Sequence, residues 1–381
     1  MKIGYISPAD PFVDKKGWSG TYYGICKALE TSGHHVEWIP YKNSRFINKV
    51  LSKVYRIFFG KGSYYHSRLI SNYHKVSINN HDLNKYDLIF VPAQVDIVAG
   101  LITNVPIVYY TDGTVPVMLN YYWFGFNEKA IKEAKIVEKK ALDNATLNIF
   151  ASHWAANSAI NDYKVSSKKV DVLPFGANID DSLINYKEKD YNSHENELNL
   201  LFSGVNWERK GGNIAVDAIR ELNNRGIKAT LYICGIKQND LPEDIVGLNY
   251  IKNVGFLNKN NESELREYLK IWEQTDIFIL PTKAECFGIV FNEANAYGIP
   301  ILTTDTGGIS DCVINGENGQ RLPLDARGSE YADIIQKWIE NHELDRLSKN
   351  ARKIYLSKNN WNAWGEKFNA LANQIIDKEN V

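Results

Sequence analysis

Short apolar runs separated by stretches of helical periodicity are the strongest constraint on what this chain can fold into. In the first half KIGYIS (2–7), HVEWIP (35–40), DLIFVP (87–92), IVYYTD (107–112), TLNIF (146–150) and KVDVLP (169–174) read as strands, with helical patterns such as 21–31 and 128–142 between them. The second half follows the same scheme with LNLLFSG (198–204), KATLYICG (228–235), DIFILP (276–281) and IPILTT (299–304), around helices at about 211–224, 262–274 and 287–297. Strands joined through helices form parallel sheets covered on both faces, so the fold class is α/β. At 381 residues the chain is too long for one ordinary core and suits two. The polar, aperiodic DSLINYKEKDYNSHENE (181–197) reads as a linker. Two Rossmann-like domains, 1–180 and 198–357, are expected to face each other across a cleft, because parallel sheets take ligands beyond the carboxyl ends of their strands.

Charge and cysteine usage narrow the function classes. A formal net charge of -1 lacks the basic excess that nucleic-acid binding needs. The four cysteines form no C-x-x-C pair and no His cluster has zinc spacing, so reduced thiols and no metal are expected. MKIGYISPAD lacks the apolar stretch of a signal peptide, and no run of about 18 apolar residues occurs. The expected compartment is the cytoplasm. There is neither a GxGxxG fingerprint nor a P-loop.

Three segments carry chemistry. In DIFILPTKAECFGIVFNEANAYGIP (276–300) a strand ends at Pro281, a loop carries Glu285, and a helix opens near Phe287 and runs to Gly298. Loop and helix start present the N–H groups of Cys286, Phe287, Gly288 and Ile289, and such a terminus favours anions. Glu293 lies about two turns beyond Glu285. Two carboxylates beside a positive helix end suit a ligand with an anionic centre and hydroxyl-rich ends, as in a nucleoside-diphosphate sugar. The same spacing also fits a solvated Glu293 and a Glu285 that only favours the helix start. In SGVNWERKGGNIAVDAI (203–219), Arg209 and Lys210 follow a strand and precede glycines that allow close approach; this is a second phosphate contact or a solvated basic turn. In PADPFVDKKGWSGTYYGICKALETSGHHV (8–36), Gly17 and Gly20 precede an amphipathic helix, either as a phosphate-approaching turn or as a plain βα turn.

Together these segments resemble family 4 of the glycosyltransferases, retaining enzymes of the two-domain GT-B fold. Glu285 and Glu293 match the Glu-x7-Glu pattern, and Arg209-Lys210-Gly211 the R-K-G pattern. TDTGGISDCVINGENGQRLP (304–323) is similar to the family's Gly-Gly segment, and VLPFGANID (172–180) to the end of its N-terminal domain. WNAWGEKFNALANQII (361–376), within a last segment 358–381, resembles the helix that crosses back onto the first domain. The resemblance implies that Arg209 and Lys210 neutralise the departing diphosphate and Glu293 holds the ribose. Glu285, with the backbone of Cys286, Phe287, Gly288 and Ile289, would hold the donor sugar. Gly20 would let the first domain approach the phosphates, and the base would lie near Gly255 and Phe256. Front-face attack with retention, no metal and no cofactor beyond the donor substrate are implied too. The chain departs from the pattern at Val205, where many members have Arg, and in YYTDGT, where Asp112 stands near the place of a His and is assigned a sugar or acceptor contact.

Residues 38–81 contain eight Lys or Arg and no Asp or Glu. In NSRFINKVLSKVYRIFFGK (43–61), Arg45, Lys49, Lys53 and Arg56 recur every three or four residues beside an apolar face. Such a helix either docks on the anionic inner face of a cell membrane or packs on its own domain. The expected activity is sugar transfer to a glycan, glycolipid or lipid-linked acceptor in cell-surface polysaccharide synthesis. Two alternatives stay open: a phosphorylase or sucrose-type enzyme of the same fold, and a catalytically silent partner subunit.

Overall fold

The computed structural model describes residues 1–191 and 197–379. They form two compact units, one of residues 1–175 and 361 onward, the other of 176–360. Among the described residues each unit is built on one six-stranded parallel sheet flanked by helices.

The first sheet comprises β1 (Lys2–Tyr5), β2 (His35–Trp38), β3 (Leu88–Pro92), β4 (Ile107–Thr111), β5 (Leu147–Phe150) and β6 (Val170–Val172), in the order β2-β1-β3-β4-β5-β6. Every residue of β3, β4 and β5 is buried, which is why these strands read as unbroken apolar runs. Crossovers run through α1 (Thr21–Thr31), α2 (Arg45–Phe59), α3 (Arg68–Ile78), α4 (Val95–Gly100), α5 (Val115–Met118), α6 (Glu128–Asn144) and α7 (His153–Tyr163).

The second sheet comprises β7 (Glu197–Ser203), β8 (Lys228–Cys234), β9 (Ile251–Gly255), β10 (Ile277–Leu280), β11 (Ile301–Thr304) and β12 (Gly319–Leu322), in the order β12-β11-β10-β7-β8-β9. This is the Rossmann order, whose direction of winding reverses between β7 and β10. Its helices are α8 (Trp207–Lys210), α9 (Gly212–Asn224), α10 (Glu262–Gln274), α11 (Ile289–Ala296), α12 (Gly328–Glu340) and α13 (Leu344–Lys358). The edge strands β9 and β12 lack an apolar run and escape a reading by hydrophobicity.

The last helix, α14 (Trp361–Glu379), belongs to the first unit. Trp364 is buried, donates from Nε1 to the Tyr110 hydroxyl at 3.2 Å, and stacks on Phe368. Two glycines let α14 approach α1. A Cβ at Gly24 would lie 2.6 Å from the Trp361 ring, and one at Gly365 only 2.0 Å from Ser32 Oγ.

Of the segment 181–197, residues 192–196 lie outside the described residues. Residues 181–191 belong to the second unit and are docked there through polar contacts. Lys189 bonds the Thr275 carbonyl and Asp276, Tyr191 donates to the Asp276 carbonyl at 3.0 Å, and the Arg352 guanidinium covers the Tyr186 ring. Polar composition does not prevent docking when the partners are strand-end carbonyls and a carboxylate. No helix among the described residues is long and apolar enough to cross a membrane.

Candidate functional site

Neighbouring strands β7 and β10 end side by side where the second sheet reverses, and their loops interlock there. After β7, Asn206 caps the single turn α8, its Oδ1 accepting the Arg209 N–H at 2.8 Å. After β10, the Lys283 N–H donates to the Arg209 carbonyl at 2.7 Å, and Arg209 Nη1 donates back to the Ala284 carbonyl at 2.8 Å. Gly211 makes this contact possible. It is left-handed, at φ 74°, and a Cβ there would lie 1.9 Å from the Pro281 carbonyl oxygen.

The interlocked loops bring the predicted charges together. The Lys210 ammonium is ion-paired with Glu285 Oε1, and Arg209 Nη1 lies 3.6 Å from the same oxygen. Lys210 and Glu285 are both buried. Gly204 makes room for the lysine, since a Cβ there would lie 2.8 Å from Lys210 Cγ. The backbone of Glu285 is held from a third loop, by the Gly308 N–H at 3.2 Å. Taking an ammonium and a carboxylate out of water is costly even when they meet, so the pair is poorly explained as a stabilising device.

Helix α11 opens two residues later than the periodicity predicts. Gly288, at φ 85°, caps it, and Cys286 and Phe287 lie in the loop, the Phe287 side chain buried. The first-turn N–H groups at this helix start are therefore those of Ile289 and Val290, not of Cys286 and Phe287. Leaving the loop left-handed at Gly288 delays the helix. Glu293, in the second turn, is buried and accepts hydrogen bonds from the Tyr268 hydroxyl at 2.5 Å and Lys259 Nζ at 2.9 Å. Phe256 follows the left-handed Gly255 and is 58% exposed, available as a flat apolar face.

Gly20 and Asp112 lie in the first unit. Trp18, Ser19 and Gly20 are successive left-handed residues, at φ 49°, 59° and 93°. Trp18 is set edge-on to Phe175 with centroids 5.1 Å apart. Asp112 follows β4, half-buried. Its charge, after burial, helps push the Tyr22 phenol well above its usual range. Tyr22 accepts from Gln94 Nε2 at 2.8 Å, and Gln94 Oε1 accepts from Tyr41 at 3.0 Å. This polar chain was not expected from the sequence; its signal is the placement of Tyr41 and Gln94 just past two strands.

Family models match most of the chain. The family model described as Glycosyltransferase Family 4 matches residues 19–181, and that described as Glycosyl transferases group 1 matches 185–354. The chain belongs to glycosyltransferase family 4.

Among curated relatives, a D-inositol 3-phosphate glycosyltransferase of Corynebacterium jeikeium is 25% identical over 259 residues, covering 63% of this chain and 60% of that protein. Among solved structures, the sucrose-phosphate synthase of Thermosynechococcus elongatus superposes with a TM-score of 0.68 at 19% identity, covering 99% of each chain. Anabaena HepE in complex with UDP gives 0.63 at 19% identity, over 98% of this chain and 100% of that one. HepE has also been solved with UDP-glucose. These structural likenesses establish the α/β two-domain GT-B fold. In this family 4 glycosyltransferase the R-K-G and Glu-x7-Glu segments meet in one unit, whereas Lys259, Tyr268 and Gly204 were not singled out from sequence. Val205, in the place of the Arg of many members, is 70% exposed.

Proposed function

We propose that the protein moves a sugar from a nucleoside-diphosphate sugar to a hydroxyl of a glycan or lipid-linked acceptor, with retention and without a metal. The observation that carries this reading is the grouping of Arg209, Lys210 and Glu285 beside the start of α11, with Glu293 on that helix. Breaking the bond from the anomeric carbon to the phosphate oxygen leaves positive charge on the sugar and negative charge on the diphosphate. Lys210, Arg209 and the helix start answer the second charge, the larger electrostatic need at the transition state. The acceptor oxygen attacks on the face the phosphate leaves, and its proton passes to the departing phosphate oxygen. Glu285 takes a sugar hydroxyl, Glu293 the ribose and Phe256 the base. Gly20 gives a backbone approach to the phosphates and Asp112 a sugar or acceptor contact. The UDP and UDP-glucose complexes of HepE support the donor class, and the name of the inositol-phosphate relative supports a hydroxylated acceptor.

A thermal-shift series with UDP-, GDP- and ADP-sugars tests the donor. A ligand at a hundred times its dissociation constant adds about 2.7 kcal/mol of stability, enough to read. One of the three is expected to shift the transition; no shift with any would refute the reading.

We infer also that residues 45–59 dock on a membrane, a reading supported by the apolar surface this helix leaves bare. In α2 Tyr55 is buried and Leu51, Val54 and Phe59 are half-buried, so the domain covers only part of the apolar arc. Phe46, Val50, Ile57 and Phe58 stay exposed, and Arg45, Lys49, Lys53 and Arg56 line the edge beside them. Bare apolar surface flanked by cations suits an anionic lipid interface on the cytoplasmic side. Co-sedimentation with phosphatidylserine vesicles at low salt should be strong and should fall roughly tenfold or more in a Phe46→Glu, Ile57→Glu double variant. Absence of wild-type binding would rule the docking out.

A further inference from the structure

Glu293 is only 3% exposed, so its carboxylate takes its hydrogen-bond partners from the side chains packed around it. The two hydroxyls of a ribose call for two accepting oxygens held in place. The surroundings answer that need one oxygen at a time. Lys259 Nζ donates to Oε1 at 2.9 Å and the Tyr268 hydroxyl to Oε2 at 2.5 Å, and each oxygen keeps a further lone pair. Lys259 is itself held on three sides: by the carboxylate, by the Asn178 carbonyl at 3.3 Å, and by the face of the Tyr268 ring 5.2 Å away. Building on the nucleotide reading above, we infer that Lys259 and Tyr268 are positioning residues that hold the two carboxylate oxygens of Glu293 aimed at the ribose diol of the donor.

Other groups near Glu293 do not substitute for them. Cys234, at the end of β8, is pushed up to about 12 by burial and by the glutamate, and so stays a neutral thiol. Tyr297, beyond the end of α11, is raised by burial, with lesser contributions from Glu273 and Glu293. Tyr268 is raised well above its usual range, first by burial and then by Glu293, so it stays a donor. Among the described residues no second cation is paired with Glu293.

Calorimetry with uridine, guanosine or adenosine diphosphate, whichever the wild-type protein binds, and with its 2′,3′-dideoxy analogue tests the inference. The readout is the ribose preference, the ratio of the two affinities. Lys259→Met should lower it roughly tenfold or more, because the charge-assisted bond that aims Oε1 of Glu293 is lost. Lys259→Arg should keep the ratio, and Tyr268→Phe should lower it several-fold. Unchanged affinity for the dideoxy form shows that a variant is folded, and Tyr268→Phe carries the test if Lys259→Met is not. A wild-type ratio in Lys259→Met would overturn the inference and leave the nucleotide reading intact. Failure of the wild-type protein to bind any of the diphosphates would instead overturn that reading.

Discussion

Both units place the carboxyl ends of parallel strands at a reversal of strand order, yet they furnish these places with different chemistry. Between β7 and β10 of the second unit, buried charge meets buried charge: Lys210 with Glu285, and further along α11 Lys259 with Glu293. Beyond β1 and β3 of the first unit, Asp10, Asp14, Lys15 and Lys16 are half-buried or exposed, and the packed contacts are mainly those of rings and neutral polar groups. Trp18 lies against Phe175 and Tyr22, and Tyr41, Gln94 and Tyr22 form a hydrogen-bonded chain. Two buried carboxylates of that unit rely on softer partners, Asp96 on the His74 ring at 2.5 Å and Glu138 on the Val115 N–H at 2.7 Å, while a third, Glu133, is ion-paired with Arg68 at 2.8 Å. Stored opposite charges suit a ligand whose charge grows during reaction; aromatic faces and neutral donors suit one that is hydroxylated and uncharged.

The largest effect should follow removal of a stored cation. Lys210→Ala is expected to lower sugar transfer by about 10³-fold, the scale of losing one preorganised contact to a developing anion. Arg209 remains 3.6 Å from Glu285, so the fold should survive. Tyr22→Phe in the first unit should cost less than about tenfold, because it removes one neutral hydrogen bond. Single-turnover transfer measures both, and equal losses would erase the distinction between the units.

A second contrast concerns how the charged site is built. Gly211→Ala drives a Cβ into the Pro281 carbonyl at a positive φ and should cost at least about 2 kcal/mol of stability. Gly226 has a similar φ of 83° but nothing within 4 Å of its would-be Cβ, so Gly226→Ala should cost only about 1 kcal/mol. Urea unfolding of the two variants separates backbone strain from the interlocking of the loops.

These contrasts also explain what could be read from the sequence. Inner strands such as LIFVP and IFIL show themselves because both faces are buried, whereas NYIKNVG and GQRL, at the sheet edge, bury too little to leave an apolar run. Arg209, Lys210, Glu285 and Glu293 are legible because each chemical pair sits in a short segment next to a strand or helix end. Lys259 and Tyr268 are not, since they meet Glu293 only through tertiary packing, 34 and 25 residues away. Periodicity sets the start of α11 too early because it does not register the left-handed turn at Gly288. In the first unit the polar chain joins residues 22, 41 and 94, a grouping that spacing along the chain does not reveal.

A last contrast distinguishes the units by pH. Burial pushes Glu138 up to about 7 from an ordinary value of 4.5, partly offset by Tyr163, the Val115 N–H and Lys135. A carboxyl raised in the folded state binds its proton more tightly there than in the unfolded chain. Its contribution is therefore complete below about pH 4.5 and is lost as pH rises through about 7. The size is on the order of 3 kcal/mol, because each tenfold gain in proton affinity is worth about 1.4 kcal/mol. Glu138→Gln has no proton to lose and keeps an oxygen for Val115. It should match the wild-type protein within about 1 kcal/mol near pH 5 and exceed it by about 1–3 kcal/mol near pH 8. Glu293→Gln should instead lose stability near pH 8, because it strands the Lys259 ammonium beside a neutral amide. Urea unfolding at the two pH values reads both, and a gain from Glu293→Gln near pH 8 would show that its buried charge is no better partnered than that of Glu138.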